Sequence, residues 1–142
     1  MSSEAAKTLP DIRQTLVLKA PIDKVWKAVA TSEGIAAWFM PNDFQPEEGY
    51  EFQLEAGAFG KSSCKVTVID PPNRLSFKWG KDWTLSFELK AVGEHTEFTL
   101  IHGGWNEGMV TEFGQPHEIV RGHMDKGWTG IQQRLATYVE AQ

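Results

Sequence analysis

The sequence predicts one α+β domain in which a curved antiparallel sheet packs against a long C-terminal helix. In the middle of the chain, apolar and polar residues alternate cleanly, which is typical of an antiparallel sheet with one buried side. Helical patterns are kept apart from these strands, which favours the α+β class. The last pattern, from about Pro116 to Glu140, is amphipathic with a helical period, and it predicts the long helix.

Length and charge limit the function. The 142 residues suffice for one domain with a core, and the net charge of −5 without any Lys/Arg cluster argues against nucleic acid or anionic membranes as partners. We find neither a signal peptide nor an apolar run that would insert into a membrane, so we expect a cytoplasmic protein. The single cysteine, Cys64, excludes an intrachain disulfide and a cysteine-cluster metal site.

The N-terminal third predicts a tail, a strand and two short helices. Residues 1–8 are small and polar and are expected to be disordered, which leaves residues 9–142 as the domain. The alternating segment from Ile12 to Lys19 predicts the first strand. Pro21 suits the first turn of a short helix, and Thr31 is a typical N-cap for a second one.

Five further strands are predicted, separated by turns at residues 57–60, 70–73, 80–82 and 92–94. Each has a run of apolar side chains on one face. These inward runs are Phe52 and Leu54; Cys64, Val66 and Val68; Leu75, Phe77 and Trp79; Trp83, Leu85, Phe87 and Leu89; and Thr96, Phe98, Leu100 and His102.

The C-terminal helix has one apolar stripe and one polar side. The predicted stripe is Val120, Met124, Trp128, Ile131, Leu135 and Tyr138. The opposite side is Asp125, Thr129, Gln132, Gln133, Ala136 and Glu140. Such a helix, laid across the concave face of a curved sheet, can close over a cavity, which favours binding of a small apolar ligand. The segment from Trp105 to Gln115 before it is rich in glycine and is a candidate for a short helical turn.

With this order of elements the chain resembles the helix-grip (START/Bet v 1-like, SRPBCC) proteins. Within them it is most similar to the activator of Hsp90 ATPase homologue 1-like family in its bacterial single-domain form. The segments that carry the resemblance are 20–26, 31–39, 100–105, 127–128, Leu135 and 138–140. The resemblance implies the helix-grip fold and binding of a hydrophobic small molecule, and it supplies no catalytic set and no cofactor.

The candidate ligand-binding residues are the aromatic and polarizable side chains that face inward from the sheet and the helices. They are Trp38, Phe39, Phe52, Phe77, Trp79, Trp83, Phe87, Phe98, His102, Trp105, His123, Met124, Trp128 and Ile131. Together they are suited to a flat or lipid-like ligand. The alternative interpretation is a packed core without a cavity, because burial is the usual fate of aromatic side chains.

The histidines supply the polar candidates. His102 continues the inward face of its strand and His123 lies at the edge of the helix stripe, so either can serve as a hydrogen-bonding handle for a ligand or as a core histidine satisfied by the protein. His95 and His117 are predicted at the surface. No third ligand accompanies these histidines, so no metal is expected. No nucleophile or general acid is evident, so no catalytic residue is assigned.

The residues and the resemblance together leave three functions open. The first is non-catalytic binding of a small hydrophobic, aromatic or lipid-like ligand, which enters near the segment from Trp105 to Gln115 and the Trp38–Phe39 tip. The second is a stress-response or chaperone-associated adaptor with a chaperone partner. The third is an enzyme of the cyclase or hydratase type that uses a histidine of the binding site.

Overall fold

The predicted fold class is confirmed: the protein is an α+β domain with the helix-grip arrangement. The computed structural model describes residues 9–55, 61–80, 83–105 and 116–140. The elements follow the order β1 (Ile12–Leu18), α1 (Ile22–Val29), α2 (Ser32–Trp38), β2 (Glu51–Glu55), β3 (Lys61–Asp70), β4 (Arg74–Trp79), β5 (Trp83–Val92), β6 (His95–Gly103) and α3 (His117–Glu140).

The strands form one six-stranded antiparallel sheet in the order β1-β6-β5-β4-β3-β2. Strands β1 and β2 are the two edge strands of the sheet, and α1 and α2 connect them in sequence. From β2 the chain continues as an antiparallel meander, β2 to β6, which ends with β6 beside β1. The predicted inward faces of β2, β4, β5 and β6 are confirmed, because their large apolar side chains are buried, apart from the half-buried Trp83 at the start of β5. The sheet therefore presents one continuous apolar side to the helices.

The inward face of β3 differs from the prediction at its end. The pairing of β3 with β4 shifts register between Val66 and Val68. Cys64 and Val66 are buried, but Val68 and its neighbour Ile69 are both half-buried. A bulge adds a residue to one strand, so the strict alternation that predicted Val68 on the buried face breaks there.

Helices α1 and α2 pack at very close range. The predicted N-cap is confirmed, since the Thr31 hydroxyl accepts a hydrogen bond of 3.0 Å from the Gly34 amide. A Cβ atom at Gly34 would lie 2.5 Å from the carbonyl oxygens of Lys27 and Ala28, so only glycine fits at this contact. The Trp38 indole then donates to the Ala28 carbonyl at 2.8 Å, which fixes the large ring at the end of α2.

Helix α3 has the predicted extent but is rotated from the predicted phase. Gln132, expected on the polar side, is buried and donates to the side-chain oxygen of Gln14 on β1. His117, expected at the surface, is buried beside Trp105. The buried residues of the described helix are His117, Trp128, Gln132, Leu135 and Val139. Arg121 and Met124 are half-buried on the same face, and Val120, Ile131 and Tyr138 are half-buried at its margin.

Polar contacts tie α3 to the first strand and its flanks. The Gln14 amide donates to the backbone carbonyl and the carboxylate of Asp125, both at 2.9 Å. The Arg121 guanidinium donates to the Pro10 carbonyl at 2.8 Å, and the Glu140 carboxylate accepts from the Lys19 amide at 2.9 Å. The contacts of Gln132 and Arg121 account for the rotation, because their partners lie on β1 and just before it, whereas Asp125 and Glu140 remain exposed.

Several expectations lie outside the described residues. They are the disordered tail at 1–8, the turn at 57–60, part of the turn at 80–82 and the helical turn in the segment from Trp105 to Gln115, of which only Trp105 is described. Within the described ranges, none of the helices combines the length and the apolar character that crossing a bilayer requires.

Candidate functional site

His102 lies near the end of β6 and inside the domain. Its strand runs between β1 and β5, where it pairs with Ile12 on one side and Leu85 on the other. The side chain continues the inward face of Phe98 and Leu100 and is fully buried, as the strand pattern predicts. An imidazole in such a position needs partners from the protein or from a ligand.

Four tryptophans surround this imidazole. Its ring stacks on Trp79 with centroids 5.3 Å apart and meets Trp83 edge-on at 5.0 Å. Trp105 is tilted against it at 4.7 Å, and Trp128 approaches edge-on at 5.8 Å. We call His102 and these four tryptophans the Trp–His cage.

The cage is assembled by four different segments. Trp79 and Trp83 are a cross-strand pair at the hairpin end of β4 and β5. Trp105 follows β6, where its carbonyl accepts from the Leu9 amide at 2.9 Å and its indole donates to the His102 carbonyl at 2.9 Å. Trp128 comes from the middle of α3.

One hydrogen bond determines the tautomer of His102. The Trp128 indole N–H donates to His102 Nδ1 at 3.0 Å. An indole nitrogen only donates, so Nδ1 must be an unprotonated acceptor. A neutral imidazole with an accepting Nδ1 carries its proton on Nε2. His102 is therefore a neutral side chain whose remaining group is an N–H donor.

The surroundings of His102 also disfavour its charged form. Burial, and secondarily the positive charge of Arg121, lower the pKa of His102 from 6.5 to about 3. The hydrogen bond from Trp128 also favours the neutral form, because an imidazolium carries a proton on Nδ1 and could not accept it. At neutral pH, His102 can therefore donate a hydrogen bond through Nε2, but it is too weak a base to take up a proton.

Two buried donors of the cage have no hydrogen-bond partner among the described residues. They are His102 Nε2 and Trp83 Nε1. The Trp83 ring is only half-buried, although its nitrogen is covered. Buried polar groups are nearly always paired with protein, water or a ligand, so this pair marks a chemically unsatisfied point in the described part of the domain.

A continuous aromatic cluster extends from the cage. Phe39 contacts Trp128 at 5.3 Å and Trp79 at 5.6 Å, and it stacks on Trp38 at 5.5 Å. From Trp38 the contacts continue over the sheet. Further ring pairs there are Trp38–Phe87, Trp38–Phe98, Phe87–Phe98, Phe77–Phe87 and Phe52–Phe77, with centroids 5.2 to 6.4 Å apart.

The candidate ligand-binding residues thus fall into three groups. The tryptophans, phenylalanines and His102 lie together in the cage and its aromatic extension. Met124 and Ile131 are half-buried on α3 against the core. His123 is exposed and lies apart from the cage, because the rotation of α3 turns it to solvent.

Sequence reasoning missed other residues of this region. Phe44 is buried and packs on Phe52 at 5.1 Å, although it lies outside any periodic element. Arg121 and Gln132 share the inward face of α3 with Trp128, at spacings of seven and four residues. Their spacing from Trp128 would have indicated that they share its face, but a search for apolar stripes does not consider polar residues.

Surface clefts lie elsewhere. One, of about 570 Å³, is open to solvent at the β2–β4 side and is lined by Asp43, Glu51, Lys65 and Lys78 among others. Most of its lining side chains are charged or polar, whereas those of the cage are aromatic. Among the described residues, no group of three or more His, Cys, Asp and Glu side chains could hold a metal ion.

Comparisons with known proteins agree with this architecture. A solved structure from Bacillus halodurans is 42% identical with a TM-score of 0.85, over 94% of this chain and 99% of that one. A protein of the dynemicin biosynthetic locus is 25% identical with a TM-score of 0.76, over 93% of this chain and 48% of that one. The Aha1 dimer from Colwellia psychrerythraea, 19% identical with a TM-score of 0.72 over 93% and 97% of the two chains, shares the fold alone.

A search of the curated proteins gives no match. The family model described as "Activator of Hsp90 ATPase homolog 1-like protein" matches residues 19–140, which is most of the chain. The chain therefore belongs to the activator of Hsp90 ATPase homologue 1-like family.

Proposed function

We propose that the protein binds a small hydrophobic, aromatic or lipid-like molecule between α3 and the concave side of the sheet, without catalysing a reaction on it. The observation that carries the proposal is the Trp–His cage. Ligand sites are mostly apolar and aromatic, with a few polar groups that orient the ligand. The cage has this composition, and its two unpaired donors are the polar groups.

Half-buried side chains at Trp83 and on α3 beside Trp128 support access for a ligand. Trp83, Met124 and Ile131 are each half-buried, in contrast to the fully buried Trp105 and Trp128. A methionine side chain is flexible and polarizable, so it can repack around a guest at low cost. The Trp38–Phe39 tip, where the sequence predicted entry, is buried, and residues 106–115 lie outside the described ranges. We therefore expect a ligand to enter beside Trp83, which contacts Trp105, and to displace these half-buried side chains rather than the inner rings.

The state of His102 supports binding over catalysis. A general base acts best when its pKa lies near the working pH. The pKa of His102 is about 3, so its imidazole does not take up a proton at neutral pH. A cyclase-type enzyme based on His102 would have to use it as a hydrogen-bond donor to a substrate oxygen. Small-molecule binding also agrees with the place of one structural neighbour in a biosynthetic locus.

Nothing in the described surface favours the adaptor function over ligand binding. The large apolar side chains exposed there, Val17, Val92 and Ile119, lie on different elements and form no patch. Single exposed apolar residues are normal on soluble domains. The outer face of the sheet carries Lys78 and Lys90 beside Glu88, without a dominant sign of charge.

Ligand titration followed by NMR tests the proposal. Fatty acids, sterols, flavonoids and polyketide-like aromatics would be added to the ¹⁵N-labelled protein, and the six indole N–H signals would be followed. We expect the signals of Trp79, Trp83, Trp105 and Trp128 to shift with a saturable dependence on one ligand class. The indole of Trp26 on α1 takes part in none of the cage contacts and serves as an internal control.

Two results would count against the proposal. One is a stable, folded protein whose cage signals respond to no compound of the panel. The other is a uniform response that includes Trp26, which indicates non-specific association. Co-purification with a chaperone in the first case would move the adaptor function to first place.

A further inference from the structure

The two unpaired groups of the cage have the same polarity. Trp83 Nε1 is a donor by its chemistry, and His102 Nε2 is a donor because Trp128 occupies Nδ1. Their rings are perpendicular to within 4°, with an interplanar angle of 86°, and their centroids are 5.0 Å apart. Two N–H groups on adjoining rings thus lack an acceptor in the same buried region.

The remaining polar groups of the cage do not compensate them. The indoles of Trp105 and Trp128 are also donors, and both are already hydrogen-bonded to His102. Trp105 donates to its backbone carbonyl, and Trp128 donates to its Nδ1. In the part of the chain that the structure describes, the cage therefore offers two buried free donors and no free side-chain acceptor. A guest that supplies an acceptor satisfies both, whereas a guest that supplies a donor satisfies neither.

We propose that the ligand is anchored by a carbonyl or carboxylate oxygen that accepts hydrogen bonds from both His102 Nε2 and Trp83 Nε1, while its apolar body lies against the indole rings. The inference rests on the proposed function and adds the chemical class of the ligand. Oxygens of this kind have two lone pairs, so one atom can accept from two donors on adjoining rings.

The positive charge of Arg121 also favours an acceptor oxygen on the ligand. Arg121 lies close enough for its positive charge to disfavour protonation of His102. The same field stabilises a partial or full negative charge on a ligand oxygen. A hydroxyl ligand is less well matched, because its proton would enter a site without a free side-chain acceptor among the described residues.

Two naphthalenes that differ in one acceptor test the anchor. Calorimetry would compare 2-acetylnaphthalene, a ketone, with 2-ethylnaphthalene, which has nearly the same shape and no acceptor. We expect the wild-type protein to bind the ketone about tenfold more tightly or better, which corresponds to two net hydrogen bonds in a buried site. The Trp83 indole N–H signal should shift downfield with the ketone and much less with the hydrocarbon.

Trp83→Phe is the matched variant, since it keeps an aromatic ring and removes the N–H. It should reduce the preference for the ketone about fivefold and leave the affinity for 2-ethylnaphthalene nearly unchanged. Trp26→Phe, also at a half-buried tryptophan, should keep the full preference. The wild-type NMR readout needs no variant, so the test stands even if Trp83→Phe is unstable.

The outcomes separate the anchor from the proposed function. If both naphthalenes bind the wild type with equal affinity, the apolar site exists and the anchor is wrong, the donors then being satisfied by buried water. If the ketone preference survives in Trp83→Phe, the anchor as a donor pair is also wrong. If neither compound binds, the proposed function fails for naphthalenes, and the anchor fails with it.

Discussion

His102 is the residue on which the account depends. Its imidazole is neutral for two separate reasons, since Trp128 donates to Nδ1 and burial opposes the charge. A neutral imidazole with a protonated Nε2 is a directional donor in apolar surroundings, where a hydrogen bond is stronger than in water. In the proposed complex, this residue would therefore orient the ligand, and the surrounding indoles would supply apolar contact.

The lowered pKa of His102 makes stability depend on pH. Below pH 6.5 the unfolded chain takes up a proton on this histidine, and the folded protein does so only near pH 3. Stability from this group is complete above about pH 6.5 and falls as the pH decreases towards 3. Urea unfolding should show a loss of about 2 kcal/mol from this group between pH 7 and pH 5.

Two controls isolate the contribution of His102. His102→Asn keeps an acceptor for Trp128 and removes the titration, so its pH dependence should be flatter over this range. His95→Asn, at an exposed histidine, should behave like the wild type. A direct NMR titration in which His102 takes up a proton near pH 6 would contradict the assignment.

At the scale of the element, α3 shows where pattern reasoning succeeds and where it fails. Its existence and length follow from periodicity, and its contact with the sheet through Trp128 and Leu135 was predicted. Its phase was wrong because Gln132 and His117, both polar, lie on the inward face. Hydrophobic periodicity cannot locate a buried polar residue, whose position is decided by a partner elsewhere in the chain, here Gln14 on β1 or Trp105 after β6.

Two glycine substitutions should have opposite effects on helix stability. A Cβ at Gly127 in α3 meets open space, so Gly127→Ala should raise the unfolding free energy by about 0.5–1 kcal/mol. At Gly34 in α2 it would overlap the backbone of α1, so Gly34→Ala should lower it by about 1–3 kcal/mol. Urea unfolding of both variants measures the difference. Equal signs would contradict the described packing of one of the two helices.

At the scale of the whole molecule, the Trp–His cage is a product of topology. Strand alternation predicted that Trp79, Trp83 and His102 face inwards, and this much is visible along the chain. Their convergence on one imidazole depends on the register of β4, β5 and β6 and on the placement of α3, none of which is encoded in a local pattern. Trp105, which follows a strand without belonging to a periodic element, completes the cage through its contact with His102.

The central claim is that the Trp–His cage holds the ligand. The most direct measurement is a set of intermolecular nuclear Overhauser effects between a bound ligand, selected from the panel, and the assigned aromatic protons of the protein. The account predicts contacts from the ligand to the rings of Trp79, Trp83, Trp105 and Trp128. Contacts confined to the exposed side of α3 around His123, or to the charged cleft at β2–β4, would contradict it.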